Sequence, residues 1–119
     1  MELVAYLGKD KENWGQITAL MNKMQDCDRV VLVKDKEVSG FPKNERCVEI
    51  SVNSAQPLTE LKEEIMNKIR ERVSGDFEVA VSLASGGGKE HMALISALLC
   101  LPVGIRLVVF TKSGVEYIN

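Results

Sequence analysis

The residues with the clearest potential for chemistry form a glycine-rich turn between a predicted strand and a predicted helix. Residues 85–89 read Ser-Gly-Gly-Gly-Lys. Three glycines leave no Cβ in the way, so backbone N–H groups can approach a ligand closely. A helix that begins there carries partial positive charge and free donors, the usual seat of an anion or a phosphate. The turn therefore predicts a site for a phosphorylated small molecule, although three glycines also suit tight packing of a strand against a helix.

Two side chains beside the turn are candidates for catalysis. Lys89 brings a full positive charge, and His91 can donate a proton to a leaving oxygen. A lone histidine is more often a surface or packing residue, so both interpretations of His91 remain open.

The glycine turn does not match the Walker A phosphate loop. A Walker A loop requires a glycine at position 83 and a Ser or Thr at position 90, where this chain has Leu83 and Glu90.

A second polar turn follows the first predicted strand, LVAYL at residues 3–7. If this strand lies beside the strand at residues 79–83, the turns after both strands open into one crevice, because ligands of parallel sheets bind at the carboxyl ends of the strands. The predicted ligand-binding residues are Gly8, Lys9, Asp10, Asn13, Ser85, Gly86, Gly87, Gly88 and Lys89.

The rest of the chain alternates between strand and helix patterns. Apolar, β-branched runs predict strands at residues 3–7, 29–33, 79–83 and 105–110. Apolar residues spaced by three and four predict a helix around residues 14–24, which Asp10 can cap, and another at residues 58–73, ended by a turn at Ser74-Gly75-Asp76. Residues 112–114 predict a tight hairpin leading to an edge strand at residues 115–118.

One part of the pattern is unusual. Residues 34–46 are polar and broken by Gly40 and Pro42, which predicts a loop without a helix. Residues 47–52 alternate in polarity, which predicts an outer strand that could run in either direction. The elements together predict an α/β fold, a Rossmann-like three-layer sandwich with a mostly parallel sheet of about six strands and a C-terminal β-hairpin.

The composition limits the classes of function. The 119 residues, 45% hydrophobic and 27% charged, suit a single domain spanning residues 1–119. A net charge of -2 at pH 7 argues against duplex DNA as a partner. The sequence has no long apolar run and no basic leader, so we expect a cytoplasmic protein without a membrane partner. Cys27, Cys47 and Cys100 lack the spacing of a metal site or a disulfide framework, and the sequence indicates no cofactor.

The predicted third helix, from Met92 to Leu101, is apolar in nearly every direction and is interrupted only by Ser96. Such a helix must be buried on more than one side. The small chain can cover one side, so we expect a homodimer through this helix, with a central position inside the monomer as the alternative.

The segments VVLV, EISV and VSLASGGGKEHMALISALL, the last followed by IRLVVF, occur in a characteristic order. In order and spacing, most of the chain resembles the CRISPR-associated Rossmann-fold (CARF) domains, which act in antiviral defence. The most specific part of the resemblance is the turn at residues 85–89 together with Met92 and the small, apolar helix that follows.

The resemblance implies a homodimer that binds a cyclic oligoadenylate in a groove across its two-fold axis. In that family the ligand is held by the first turn, here Gly8 to Asp10, and by the glycine turn, here Ser85 to Lys89. Some members cleave the ring, with a 2′-hydroxyl of the ligand as nucleophile and a lysine like Lys89 to stabilise the phosphate. Other members only sense the ligand. The alternatives are therefore a ring nuclease and, in a third class, a non-catalytic subunit of a larger assembly.

Overall fold

Six strands form one sheet with helices on both faces in the computed structural model of the protein, which describes residues 1–73, 75 and 77–119. The strands are β1 (Glu2–Leu7), β2 (Arg29–Asp35), β3 (Cys47–Val52), β4 (Glu78–Ser82), β5 (Gly104–Thr111) and β6 (Gly114–Tyr117). The helices are α1 (Trp14–Lys23), which follows a short 3-10 turn (Lys11–Asn13), α2 (Leu58–Val73) and α3 (Gly88–Leu99).

The strand order in the sheet is β3-β2-β1-β4-β5-β6, and β1 to β5 are all parallel. β6 pairs with β5 in the antiparallel direction and forms the C-terminal hairpin. This confirms the predicted α/β sandwich with a mostly parallel sheet. The chain moves outward in one direction from β1 to β3 and in the other from β4 to β5, so the sheet has its topological switch point between β1 and β4.

Alternate residues of the central strands contact two separate apolar layers. Val4, Val31 and Val81 pack with α2 and α3 on one face. Leu3 and Leu32 pack with α1 on the other face. Every residue of β1 is buried, which explains why its sequence after Glu2 is a continuous apolar run rather than an alternation.

The connection from β2 to β3 contains no helix, which confirms the predicted loop. Val38 and Phe41 from this loop are buried on the α1 face, and the Phe41 ring meets the Trp14 ring edge-on with centroids 5.7 Å apart. Two apolar side chains thus do the covering that a crossover helix normally does. β3 runs parallel to β2, which settles the direction that the sequence left open.

Helix α3 is buried on one side only in the single chain. Ala93, Leu94 and Leu98 are fully buried, whereas the side chains of Met92 and Leu99 are 58% and 71% exposed.

None of the helices in the described ranges has the length and apolar content that crossing a membrane requires. The predicted turn at residues 74–76 lies partly outside the described residues.

We predict that Phe41→Ala lowers the free energy of unfolding by about 3 kcal/mol, because it leaves a cavity against Trp14 that the loop cannot close. Urea denaturation followed by fluorescence measures the change. The matched control is Phe77→Ala, since the Phe77 side chain is 99% exposed and its loss leaves the free energy nearly unchanged. Equal effects of the two substitutions would show that the loop does not contribute to the core.

Candidate functional site

The turns that follow β1 and β4 are joined by a chain of hydrogen bonds. The Gly8 N–H donates to Ser85 Oγ at 2.9 Å, and Ser85 Oγ donates to Asp10 Oδ1 at 2.6 Å. The Gly86 N–H lies 3.2 and 3.3 Å from the two oxygens of the same carboxylate. The structure thus brings the two predicted turns into direct contact at the switch point of the sheet.

Close backbone approach requires glycine at two of these positions. A Cβ on Gly8 would lie 2.6 Å from Asp10 Oδ1 and 2.8 Å from the Cα of Gly86. Gly86 has a φ of 94°, which L residues with a side chain rarely adopt, and a Cβ there would lie 3.2 Å from the Tyr6 ring. These two glycines therefore serve the packing of the turns against each other.

Gly87 and Gly88 differ from Gly86 because both are exposed at the start of α3. A Cβ on Gly88 would meet nothing within 4 Å, and one on Gly87 would meet only the carboxylate of Glu90, at 3.2 Å. The sequence left open whether the glycine run serves packing or ligand approach. Its first glycine serves packing, and the next two leave the backbone at the helix N-terminus uncovered.

The interpretation of Asp10 as a helix cap is wrong. Asp10 precedes the 3-10 turn, but its side chain makes no capping hydrogen bond there. Its carboxylate instead accepts bonds from Ser85, the Gly86 N–H and, at 2.7 Å, Asn13 Nδ2. Burial opposes ionisation, but hydrogen bonds from Asn13, Ser85 and Gly86 outweigh it and hold the pKa of Asp10 below its usual value. The carboxylate connects the two turns rather than capping one of them.

Lys89 and His91 both contact backbone carbonyls of the protein. Lys89 Nζ donates to the carbonyl oxygens of Ser54 at 2.8 Å and Gln56 at 2.5 Å, which ties the start of α3 to the loop after β3. His91 Nε2 lies 2.7 Å from Ser85 O, and this contact helps to hold the glycine turn in place. Trp14, a further candidate for stacking on a base, is 6% exposed and donates to Gly8 O at 3.1 Å.

A crevice of about 360 Å³ lies where these turns meet. It is lined by Tyr6, Gly8, Lys9, Asp10, Asp35, Ser54, Gly86, Gly87 and Glu90. Five of the nine predicted ligand-binding residues are thus in its wall, while Asn13, Ser85, Gly88 and Lys89 stand behind or beside it. A larger depression of about 640 Å³ lies between the end of α1 and the β5–β6 hairpin, and it contains no residue of either turn.

The sequence reasoning missed four lining residues, namely Tyr6, Asp35, Ser54 and Glu90. A usable signal existed for two of them. Tyr6 carries the one side-chain polar atom within an otherwise apolar run, and Asp35 ends β2 directly beside the end of β1. Ser54 and Glu90 belong to the loop after β3 and to the first turn of α3, so that only the fold brings them together.

The phenol of Tyr6 is the most deeply buried polar group of the crevice. Its side chain is 1% exposed, and its hydroxyl has no hydrogen-bond partner of acceptable geometry among the described residues. Burial, followed by the charges of Asp35 and Glu90, raises the pKa of Tyr6 well above its ordinary value, and the nearby Ser54 side chain offsets this only in part. The hydroxyl therefore remains protonated and available as a donor.

The charges of the crevice are unevenly distributed. Asp35 accepts bonds from the Ser54 N–H at 2.7 Å and the Ser54 hydroxyl at 2.5 Å, which fixes its carboxylate at the end of β2. Asp10 and Glu90 bring the carboxylates of the lining to three, and Lys9 contributes its positive charge, with its side chain 77% exposed and its Nζ 3.9 Å from Glu37 Oε1. The described residues contain no group of three or more His, Cys, Asp or Glu side chains able to hold a metal ion.

Comparisons with known proteins return no match to a family model and no match to a curated sequence.

We predict that Gly8→Ala lowers the free energy of unfolding by about 2 kcal/mol or more, because the new methyl group collides with backbone atoms of Gly86 that cannot move aside. Chemical denaturation measures the loss. Gly88→Ala is the control, because its methyl group meets nothing and alanine favours the first turn of a helix. A Gly8→Ala protein as stable as the Gly88→Ala protein would mean that the turns are not in contact.

Proposed function

We propose that the protein binds a phosphate-bearing nucleotide in the crevice between the β1 and β4 turns, with a cyclic oligoadenylate as the first candidate ligand. The observation that carries the proposal is the uncapped N-terminus of α3 beside a crevice at the switch point of the sheet. The resemblance to CARF domains, which rests on the same turn, supplies the choice of ligand.

The N-terminus of α3 has donors to offer an anion. Its first helical hydrogen bond runs from the His91 N–H to Gly87 O at 3.0 Å, so the N–H groups of Gly88, Lys89 and Glu90 have no acceptor within the helix. Gly87 occupies the cap position without a side chain to satisfy them. The exposed ammonium of Lys9, which lies 3.9 Å from Glu37 Oε1, adds positive charge from the other turn. A phosphate at this end of the crevice would receive both kinds of interaction.

Binding without cleavage is the proposed activity. Lys89 holds two carbonyl oxygens and His91 lies against a third, so both candidates for catalysis already have structural contacts. Lys89 is also not among the residues that line the crevice, so cleavage of the ring by a 2′-hydroxyl would require its ammonium to move toward the ligand. Incubation with cyclic oligoadenylate, followed by chromatography of the nucleotides, tests whether the protein cleaves the ring. Linear products that form with the parent protein and not with Lys89→Ala would show that it is a ring nuclease.

We predict that cyclic tetra- or hexa-adenylate raises the melting temperature of the protein, whereas ATP, NAD and inorganic phosphate raise it less. A ligand at a hundredfold excess over its Kd adds about 2.7 kcal/mol to the free energy of unfolding. Differential scanning fluorimetry measures the shift. Gly87→Leu fills the crevice from an exposed position with ordinary backbone angles and is expected to abolish the shift.

The control for this experiment is Gly15→Leu, which adds the same side chain at an exposed position of α1 where a Cβ meets nothing within 4 Å. It is expected to retain the full ligand-induced shift. If no nucleotide changes the melting temperature of the parent protein, the crevice is not a nucleotide site, and the role of a structural subunit takes its place.

We also propose that the protein is a homodimer through α3. Met92 and Leu99 lie on one exposed side of this helix, beside a groove of about 460 Å³ that Leu58, Lys62, Ser96 and Cys100 help to line. Exposed apolar side chains around a groove are typical of an interface. A two-fold axis along this side of α3 would pair two crevices, as the resemblance implies.

We predict that Leu99→Glu converts the dimer to a monomer at micromolar concentration, because it places a charge in an apolar contact. Size-exclusion chromatography with light scattering measures the mass. Ile118→Glu is the control, since Ile118 is 64% exposed and lies beside β5 and Gln16 of α1. A parent protein that is already monomeric would contradict the interface.

We further propose a cytoplasmic location, which the three free cysteines favour.

A further inference from the structure

We propose that Tyr6, Asp35 and Glu90 form a hydroxyl-selective end of the crevice, which accepts a ribose hydroxyl of the bound nucleotide and discriminates against its deoxy counterpart. The inference rests on the proposed function and adds to it the part of the ligand that lies next to the phosphate. It follows from three observations: a buried hydroxyl that makes no well-formed hydrogen bond with the described residues, two carboxylates that line the same crevice, and the position of both relative to the N-terminus of α3.

The hydroxyl of Tyr6 is not needed for the packing of its ring. The Tyr6 ring packs in the apolar layer with Val4 and Val33, and a Cβ on Gly86 would touch its edge, so phenylalanine would fill the same space. The hydroxyl makes no well-formed hydrogen bond with any described residue, and a buried polar atom without a partner is costly. Such an atom in a crevice wall calls for an explanation, and a ligand that completes its hydrogen bond supplies one.

Two carboxylates line the same crevice as this hydroxyl and act on it through their charges. Asp35 is held in place by the N–H and the hydroxyl of Ser54. The Glu90 side chain makes no hydrogen bond or ion pair with any residue that the structure describes, and it folds back over the start of α3 so that one oxygen would lie 3.2 Å from a Cβ on Gly87. Ionised carboxylates only accept hydrogen bonds, whereas the phenol of Tyr6 can donate one.

These groups select the chemistry of their ligand. A group bound here must accept a hydrogen bond from Tyr6 and donate one to Asp35 or Glu90. A phosphodiester cannot donate, and any phosphate would be repelled by the carboxylates. An ammonium group can donate but cannot accept. A hydroxyl group accepts and donates through a single oxygen atom, whereas the edge of a base needs two separate atoms to do both.

The arrangement of the crevice suits a ribonucleotide. Lys9, Gly87 and the amide groups at the start of α3 favour the phosphate, and Tyr6 with Asp35 favours a hydroxyl in the same cavity of about 360 Å³. A ribose places its 2′- and 3′-hydroxyls a few bonds from a phosphate. A sugar without the 2′-hydroxyl leaves Tyr6 and a carboxylate unpaired, and unpaired buried groups are the usual source of strong discrimination.

The test compares ribose and deoxyribose forms of two probes. Cyclic tetra-adenylate is compared with the all-2′-deoxy ring of the same size, and 5′-AMP with 2′-deoxy-5′-AMP, by isothermal titration calorimetry on the full chain. We expect the parent protein to bind at least one ribose form about tenfold or more tightly than its deoxy partner, since one hydrogen bond to a buried group contributes roughly that factor.

Two variants assign the effect to the proposed residues. Tyr6→Phe is expected to keep or slightly raise the melting temperature of the free protein and to reduce the preference for ribose to about twofold or less. Glu90→Gln, which keeps the size of the side chain and removes its charge, is expected to reduce the preference in part. Tyr117→Phe is the matched control, because Tyr117 lies in β6 outside the crevice, and it is expected to retain the full preference.

The outcomes separate this inference from the proposed function. Equal affinity for ribose and deoxyribose forms, with tight binding of the ring, overturns the hydroxyl-selective end and leaves nucleotide binding intact. A ribose preference with 5′-AMP but no binding of the ring supports the inference and overturns the choice of ligand. A preference that survives in Tyr6→Phe overturns the assignment to Tyr6, and the absence of binding to all four probes overturns both proposals.

Discussion

The carboxylate of Asp10 is the interaction on which the crevice depends. It joins the end of β1 to the turn after β4 through Ser85 and the Gly86 N–H, two residues from a distant part of the chain. Ser85 is fully buried, and its hydroxyl accepts from Gly8 while it donates to Asp10, so each polar group in the contact has a partner. Without this carboxylate, a buried hydroxyl and a backbone N–H would both lose their acceptor, at a cost of about 1 to 3 kcal/mol each.

The constraint extends from the contact to the shape of the site. Gly8 and Gly86 approach each other with no room for a side chain. The glycine turn therefore lies against the end of β1, and α3 begins next to the end of that strand. Lys89 fixes the same helix end to the loop after β3. The walls of the crevice are therefore positioned before any ligand binds, which lowers the entropic cost of binding.

The sequence predicted the sheet and the meeting of the two turns well, because buried parallel strands appear as continuous apolar runs and the rules of parallel sheets fix where their ends meet. The direction of β3 could not be predicted, because an alternating pattern is the same for both directions. The role of Asp10 was misassigned for a related reason. A carboxylate just before a helix has the sequence signature of a cap, whereas its true partners lie in a turn far along the chain.

The remaining lining residues show a second limit of sequence reasoning. In the sequence, Tyr6 belongs to an apolar run that predicts a buried strand. This prediction describes the Tyr6 ring correctly and overlooks its hydroxyl. Asp35, Ser54 and Glu90 come from three different elements, and no spacing in the sequence relates them to one another. A site that is assembled from the ends of several strands and one helix becomes visible only when the strand order is known.

The helix-free connection between β2 and β3 also affects the order in which the molecule assembles. The β1–β2 and β2–β3 pairs join strands that are consecutive in the chain, so we expect these pairs to form early. The pairing of β4 with β1 must instead close a loop that includes β2, β3 and α2, and the Ser85 to Asp10 bond spans 75 positions. We therefore expect the crevice to be completed late in folding, because both of its turns must meet across this long loop.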